Sequence, residues 1–359
     1  MQGAVFREGY VMVRMIVFSV IAFGVAYLLY VFPVLALLSL FSGSDIFSLW
    51  SLLPAALVFM LIRLYLATSI TNRALRAFVF YGMGVGFLST LILSGLLFVR
   101  ELGVLDGQAL GAIAVSSIAI VTAFSVYNAN SLVVRDMAFS SDRIDMPCRF
   151  AFISDVHIGS NPPGHLKTIC DRLQQCEIDA LFIGGDLFDS SDFRLEHIHA
   201  IGGLDADIYF VTGNHEGYVG GFETLLERFA ELNIRVLDNA AADCHGVNLI
   251  GVSDMQSPAA KTRAVDSLYR DGCFNIALVH QPSIWRKTDS EIDLMLCGHT
   301  HNGQIWPFNL LVRLQFRHVY GLFVEGVSNL YVSSGVGCWG PRMRIGSRNE
   351  ILLIELRPA

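Results

Sequence analysis

The sequence has little charge and lacks the cysteine spacing of a disulfide or zinc framework. Only 16% of its 359 residues are charged, and a mean hydropathy of +0.52 is too high for a single soluble domain. The seven cysteines are odd in number, none forms a CxxC pair, and all lie after residue 147. This pattern indicates reduced thiols, most of them in the core, and excludes a secreted disulfide scaffold.

Lysine is absent from the first 136 residues, which hold seven arginines and five acidic residues. The remaining residues therefore carry a net charge of −9, because the whole chain carries −7. Non-specific binding to nucleic acid requires a basic surface, which an acidic second part does not supply. We therefore expect no nucleic-acid partner.

Apolar, uncharged stretches fill the first third of the chain. There are four of them, at residues 15–44, 46–62, 77–99 and 107–134. A membrane span needs roughly 20 apolar residues, and none of the four shows the polar face of a soluble helix. Residues 1–136 are thus predicted to form four transmembrane helices, the second of which reaches past Arg63 to about Ala67. Gly82 and Gly86 in the third stretch fit a close helix contact.

The arginines of the short loops set the predicted orientation. They favour the N-terminal tail, the loop with Arg73 and Arg76, and the C-terminal domain on the cytoplasmic side of the inner membrane. The first stretch is too long for the apolar part of a cleaved signal peptide. The spans contain no histidine or acidic pair, so we interpret them as an anchor rather than a transport pathway.

Residues 137–147 are predicted to be a linker, and residues 148–359 a single α/β domain. Short apolar runs alternate there with helical patterns, which is typical of an α/β sheet covered by helices. Polar residues follow directly after several of the apolar runs. Loops at such strand ends converge in a crevice, so we expect a site there.

Five segments carry the candidate chemistry. They are Asp155-Val-His157, Gly185-Asp186, Gly213-Asn214-His215-Glu216, His280 and Gly298-His299-Thr300-His301. Together they supply enough oxygen and nitrogen donors for two metal ions that share a carboxylate. No cysteine is required, which favours a catalytic centre over a structural zinc site.

The order and spacing of these segments resemble the calcineurin-like metallophosphoesterases, with the pattern DxH…GD…GNH[DE]…H…GHxH over about residues 149–301. The resemblance implies a four-layer αββα sandwich of two packed mixed sheets. The later segments 303–305, 335–337, 340–341, 344–346 and 350–351 resemble the bacterial membrane-associated branch of that family.

The resemblance also implies a role for each site residue. The implied metal ligands are Asp155, His157 and His301 for the first ion, Asn214, His280 and His299 for the second, and Asp186 for both. His215 would donate a proton to the leaving group, and Glu216 would orient His215. Manganese, iron and zinc all suit these ligands.

Other residues near the motifs leave alternatives open. Arg342, Arg344 and Arg348 either place an anionic substrate or are structural. Residues 305–316 are unusually apolar and form either core or a cap that meets the bilayer or an acyl chain. Asp189 and Asp254 are interpreted as loop residues without a direct role.

The sequence thus predicts a membrane-anchored phosphoesterase in which a metal-activated hydroxide attacks phosphorus. A lipid or lipid-linked phosphodiester or pyrophosphate is the expected substrate, because the anchor concentrates such molecules near the site. The alternatives are the same hydrolase acting on soluble nucleotides or phosphoproteins, and a non-catalytic membrane scaffold or sensor on the same fold.

Overall fold

The computed structural model describes residues 15–67, 73–189 and 193–359. These residues divide between Phe124 and Ser125 into two compact units, each described separately below. Arg7 and Arg14, which contribute to the predicted orientation, lie outside the described residues.

The first unit is helical. Its helices, the last of which continues into the second unit, are α1 (Met15–Ser42), α2 (Leu52–Ala67), α3 (Arg73–Glu101) and α4 (Gly107–Asn130). A π-helical turn, Tyr27–Val31, interrupts α1. Close packing at Gly86 places α3 against α1, because a Cβ there would collide with the carbonyl of Leu29. The predicted Gly82-Gly86 pattern therefore lies at a helix contact, as expected for small residues between helices.

Three of the described helices, not four, are long and apolar enough to cross a membrane. The prediction of a fourth span was wrong at α2, which has 16 residues. At 1.5 Å per residue such a helix measures about 24 Å, less than the roughly 30 Å hydrocarbon core. The helix begins late because Ser48 caps a 3₁₀ turn by accepting the N–H of Trp50, and Pro54 suits a first turn.

The second unit contains two six-stranded sheets. The first has the order β1-β12-β2-β3-β4-β5 and the second β10-β11-β9-β8-β7-β6, and both are mixed. The strands are β1 (Leu132–Ser141), β2 (Cys148–Ile153), β3 (Ala180–Ile183), β4 (Asp207–Phe210), β5 (Ile234–Val236), β6 (Ala240–Cys244), β7 (Val247–Val252), β8 (Phe274–Val279), β9 (Leu294–Cys297), β10 (Gly321–Glu325), β11 (Ser328–Val332) and β12 (Asn349–Pro358).

Helices cover the outer faces of the sheets. They are α5 (Pro163–Leu173), α6 (Phe222–Glu227) and α7 (Pro258–Leu268), whereas a further helix, α8 (Phe308–Gln315), has no buried side chain. One core lies between the sheets, where Phe152 and Phe182 pack in the same cluster as Leu278. A second core packs Leu166 of α5 on the first sheet, and a third packs Val265 of α7 on the second. This is the predicted four-layer αββα sandwich.

Residues 137–141, predicted as the start of a linker, form the second half of β1. The strand pairs in parallel with β12 along its whole length, from Leu132 opposite Asn349 to Ser141 opposite Pro358. Met137 and Phe139 pack against the core between the sheets, so this segment alternates as a half-buried strand does. All seven cysteines are free, and all except Cys273 are buried.

Candidate metal centre

Five loops meet at one edge of the two sheets. They follow the carboxyl ends of β2, β3 and β4 in the first sheet and of β8 and β9 in the second. Each of these strands runs parallel to a neighbour in this group, so their carboxyl ends face the same edge. The loops carry all the residues singled out from the sequence: Asp155, His157, Asp186, Asn214, His215, Glu216, His280, His299 and His301.

Most of the expected ligands have an unusual backbone conformation. Five of them have φ between +49° and +70°: Asp155, His157, Asp186, His299 and His301. Residues other than glycine rarely adopt this left-handed region, which costs about 1–3 kcal/mol for each. Such strain is concentrated at functional sites, where the surrounding fold holds it in place.

Two glycines make room for the carboxylates of the centre. A Cβ at Gly213 would collide with the side chain of Asp186, and a Cβ at Gly298 would collide with the side chain of Asp155. Neither glycine has a positive φ, so their role is close approach rather than backbone freedom. Only Gly185, with φ +90°, has the turn geometry expected of the glycines that precede the ligands.

The side chains converge in three overlapping groups, each of whose potential ligand atoms all lie within 4.8 Å of one another. The groups are Asp155, His157 and His301; His157, Asp186 and His215; and Asp186, His280 and His299. The first corresponds to the implied first-ion set. The third contains two of the residues implied for the second ion, with Asp186 in the shared position.

Distances within the groups are short. His280 Nε2 lies 3.1 Å from Asp186 Oδ2, and His301 Nε2 lies 3.5 Å from Asp155 Oδ1. The Nε2 atoms of His157 and His301 are 3.0 Å apart. Imidazole nitrogens and carboxylate oxygens that converge in this way suit manganese, iron or zinc.

Asn214 provides an independent test of whether these residues fit a metal ion. Its Oδ1 atom is buried and has no hydrogen-bond partner within the described part of the chain. A buried amide oxygen without a partner costs about 1–3 kcal/mol. A cation at this position would satisfy it, so the donor set fits the metal.

Hydrogen bonds fix the orientation of His280. Its Nδ1–H donates to the carbonyl of Gly184 at 2.8 Å, which directs Nε2 at Asp186. Metal-ligating histidines commonly donate their second N–H to a carbonyl or carboxylate in this way. The carboxylate of Asp155 accepts the backbone N–H of His299 at 3.0 Å, so the first and last loops are joined directly.

Burial keeps most of the histidines neutral, which is the form that binds metal. It lowers the pKa of His157 and of His299 to about 3, and that of His301 well below its usual value. Burial acts in the same direction on His280, but the carboxylate of Asp186 outweighs it and raises the pKa of His280 to about 10. Burial raises the pKa of Asp155 to about 6.

Comparison with known proteins identifies the family. A family model described as calcineurin-like phosphoesterase matches residues 148–303. A metallophosphoesterase of Campylobacter jejuni is 30% identical over 257 residues, which cover 67% of this chain and 69% of that protein. The chain belongs to the calcineurin-like phosphoesterase family. The resemblance drawn from the motifs is confirmed.

Two further relatives extend the comparison. A metallophosphoesterase of Helicobacter pylori strain 26695 is 32% identical over 237 residues, which cover 63% of this chain and 64% of that protein. A Danio rerio protein named transmembrane protein with metallophosphoesterase domain is 30% identical over 234 residues, which cover 59% of this chain and 53% of that protein. The match thus spans less than two thirds of the length of either relative.

Within this centre, His215 lies at the partly exposed side. Its backbone N–H donates to Asp186 Oδ1 at 2.8 Å, and its ring centroid lies 4.7 Å from that of His157. Two aromatic rings flank it, those of Tyr218 at 5.5 Å and Trp339 at 6.0 Å. Burial lowers the pKa of His215.

The contacts of Glu216 differ from the implied role of orienting His215. Its buried carboxylate accepts four backbone N–H groups, those of Asp186, Leu187, Phe188 and Gly213, at 2.6–3.2 Å. Burial raises the pKa of Glu216, and these hydrogen bonds act against that rise. Glu216 therefore positions the loop that carries Asp186, and no hydrogen bond to the His215 ring is among its contacts.

Arg344 is fully buried, so it is not placed to bind a substrate from solvent. Its Nη2 donates to the carbonyls of Ser334 and Gly337, each at 2.6 Å, and lies 3.4 Å from His301 Nδ1. The sequence left substrate binding and structure open for this residue, and the contacts favour structure. A buried arginine is rare enough that no sequence signal distinguished it from Arg342 and Arg348.

Two acidic residues that were assigned no direct role have specific partners, and Asp254 is also buried. Asp254 forms an ion pair with buried Lys261 and accepts the Gln281 side chain at 2.7 Å, next to His280 in sequence. Asp189 accepts two hydrogen bonds from Ser160. Sequence reasoning missed the contacts with Gln281 and Ser160 because these partners lie almost 30 residues away.

Proposed function

We propose that this chain is a membrane-anchored phosphoester hydrolase that uses two divalent metal ions. The observation that carries the proposal is the position of Asp186, whose carboxylate belongs to ligand groups on both sides of the centre. A carboxylate placed between two donor sets is what a pair of ions that share a ligand requires.

Each side of the centre has its own ligands. Asp155, His157 and His301 would hold the first ion, and His280, His299 and the Oδ1 atom of Asn214 the second. Two bound ions would supply Lewis-acid stabilisation of the phosphoryl oxygens and activation of a water. Glu216 keeps Asp186 between the two sides by holding its loop.

His215 would act as the proton donor to the leaving oxygen. It is near Asp186 but only partly buried, so a substrate can reach its ring. An imidazole nitrogen can deliver the proton as the bond to phosphorus breaks.

The proposed substrate is a phosphodiester or pyrophosphate, lipid-linked in our preferred form. The exposed rings of Tyr218 and Trp339 near His215 support an apolar or aromatic leaving group. The three candidate spans support a substrate in the same membrane, because tethering raises its effective concentration.

We place the domain on the cytoplasmic side of the inner membrane. With three spans, the tail before α1 and the domain after α4 lie on opposite sides, so the expectation that both are cytoplasmic no longer holds. Arginines still favour a cytoplasmic domain, with five on its side and three on the other. The five are Arg63, Arg73, Arg76, Arg135 and Arg143, and the three are Arg7, Arg14 and Arg100.

Metal content and activity test the proposal together. Full-length protein in detergent should bind two manganese, iron or zinc ions per chain, measured by elemental analysis, and hydrolyse bis-p-nitrophenyl phosphate. Asp186→Asn should lose most of its bound metal and most of its hydrolytic activity. His215→Ala should keep its metal and lose roughly 10²–10⁴-fold in kcat. The exposed His199→Ala is the matched control.

The same preparation separates the alternatives. A panel of phosphomonoesters, nucleotides, phosphopeptides and phospholipids in mixed micelles identifies the preferred substrate. Turnover of soluble compounds alone would refute the lipid assignment. Metal-loaded protein without hydrolysis of any member, or His215→Ala with unchanged hydrolysis, would favour a scaffold or sensor instead.

A further inference from the structure

Helix α8 lies beside the centre and carries its apolar residues on the outside. None of its side chains is buried, and Leu310, Leu311 and Leu314 are 53%, 56% and 84% exposed. The inward side includes Asn309, whose backbone and Cβ pack against Gly303. A soluble surface helix normally has the reverse arrangement, with leucine inside and polar residues outside.

The exposed face continues into neighbouring aromatic residues. Trp306, just before the helix, is 57% exposed, and Trp339 is also exposed. Gln304 links the two tryptophans. Its Nε2 donates to the carbonyl of Trp339, and it precedes Trp306 by two residues in the sequence. Exposed tryptophans next to a leucine-rich helix are typical of a surface that lies at a membrane–water interface.

Hydrogen bonds connect the start of α8 to the end of α4, and they also indicate a membrane as the partner of the exposed face. The N–H of Trp306 donates to the carbonyl of Ile345 at 2.8 Å, and the N–H of Arg344 donates to the carbonyl of Ser125 at 2.9 Å. Ser125 and Asn128 belong to the last turns of α4, a candidate span, and Asn128 Nδ2 donates to the carbonyl of Arg344. Two hydrogen bonds, made by the adjacent residues Ile345 and Arg344, therefore connect the start of α8 to the end of a candidate span.

Charge on the helix suits a lipid surface as well. Arg313 and Arg317 are exposed within and just after α8. Basic residues beside an apolar face bind the anionic headgroups of lipids. Phe316, between them, has its ring 5.1 Å from that of His299, so the helix ends directly at the metal centre.

The geometry points to α8 and Trp306 as a membrane-interface surface, in which Leu310, Leu311 and Leu314 insert among the lipids of a bilayer. This surface places the metal centre at headgroup level. It is independent of the catalytic assignment, because a non-catalytic protein of this fold would bind lipid in the same way.

Spin labelling of the full-length protein in vesicles tests this surface without an activity assay. Six of the seven cysteines are buried, so Cys273→Ser leaves a background for a label at Leu314→Cys. The matched control is Gln175→Cys, an exposed position that follows α5 and precedes β3, at the opposite edge of the sheet. The vesicles contain phosphatidylcholine and phosphatidylglycerol.

A lipid-inserted label at 314 should collide several-fold more often with oxygen, and several-fold less often with a water-soluble nickel complex, than the label at 175. Equal nickel accessibility at the two positions would overturn the proposal. Dipolar broadening between labels at 314 would assign the face to a second copy of the chain. Low accessibility to both reagents without broadening would show that a different protein covers this face. Either of these two results would overturn the proposed lipid surface.

Tryptophan quenching provides a second measurement on protein without a label. Brominated phospholipids should quench part of the fluorescence, and Trp306→Phe should remove a larger share of that quenching than Trp285→Phe. Equal loss in the two variants would contradict insertion at Trp306 even if the label at 314 disturbed the helix.

Discussion

Glu216 holds two loops of the metal centre through a single carboxylate. Its four N–H partners come from the loop after β3 and the loop after β4. A carboxylate that satisfies several buried donors contributes more than an ordinary hydrogen bond, because its loss leaves each donor unpaired.

Glu216→Gln should therefore lower the free energy of unfolding by about 2–4 kcal/mol, since the amide group places a donor against backbone donors. Urea unfolding measures the loss, and metal content should fall as Asp186 is displaced. Glu223→Gln, exposed in the first turn of α6, should change stability by less than about 0.5 kcal/mol. Full stability of the Glu216 variant would show that the four contacts are dispensable.

Arg344 is expected to act through stability rather than through substrate affinity. Arg344→Lys removes the planar fork that reaches Ser334 and Gly337 and should destabilise the domain by about 2–3 kcal/mol. The exposed Arg348→Lys is the control in thermal unfolding. An increase in KM at unchanged stability would instead assign Arg344 to substrate binding.

Glycines in the loops that follow the strands determine how closely the side chains of the metal centre can approach one another. Gly213→Ala should abolish most metal binding, because its Cβ would occupy the space of the Asp186 carboxylate. Gly220→Ala, where a Cβ meets no atom within 4 Å, is the matched control. Isothermal titration with manganese measures both, and equal affinities would contradict the close approach at residue 213.

Motifs at strand ends were predictable because they follow local sequence rules. An apolar run followed by Asp155 or Asp186 indicates a strand with its ligand at the carboxyl end, and the order of such units defines the sandwich. The wrong predictions came from contacts that local sequence does not encode. Strand β1 depends on pairing with β12 more than 200 residues away, and α2 is short because of its cap and Pro54. The partners of Glu216 and Arg344 likewise depend on the finished fold.

The second unit includes the last turns of α4, a candidate span. Asn349 donates to the carbonyl of Ala129 at 2.7 Å, and Arg342 donates to Asn130 at 2.7 Å, in addition to the contacts of Ser125 and Asn128. The soluble part therefore begins inside α4 rather than after it.

A chain that begins at residue 132 should consequently be less stable than one that begins at residue 121. The loss of these hydrogen bonds should cost about 2 kcal/mol or more, because the Asn349 side chain is buried and left without its acceptor. Chemical unfolding of the two chains in detergent measures the difference. Equal stability would show that the last turn of α4 is only attached, not part of the domain.

Arg344 also gives the last turns of α4 and the metal centre a shared protection against solvent. Its backbone holds Ser125 and Asn128, while its guanidinium lies against His301. Opening of one partner exposes the other, so the two form a single cooperative unit. Amide hydrogens in the last turns of α4 should accordingly exchange with deuterium more slowly once metal is bound, although no ligand of the centre belongs to that helix.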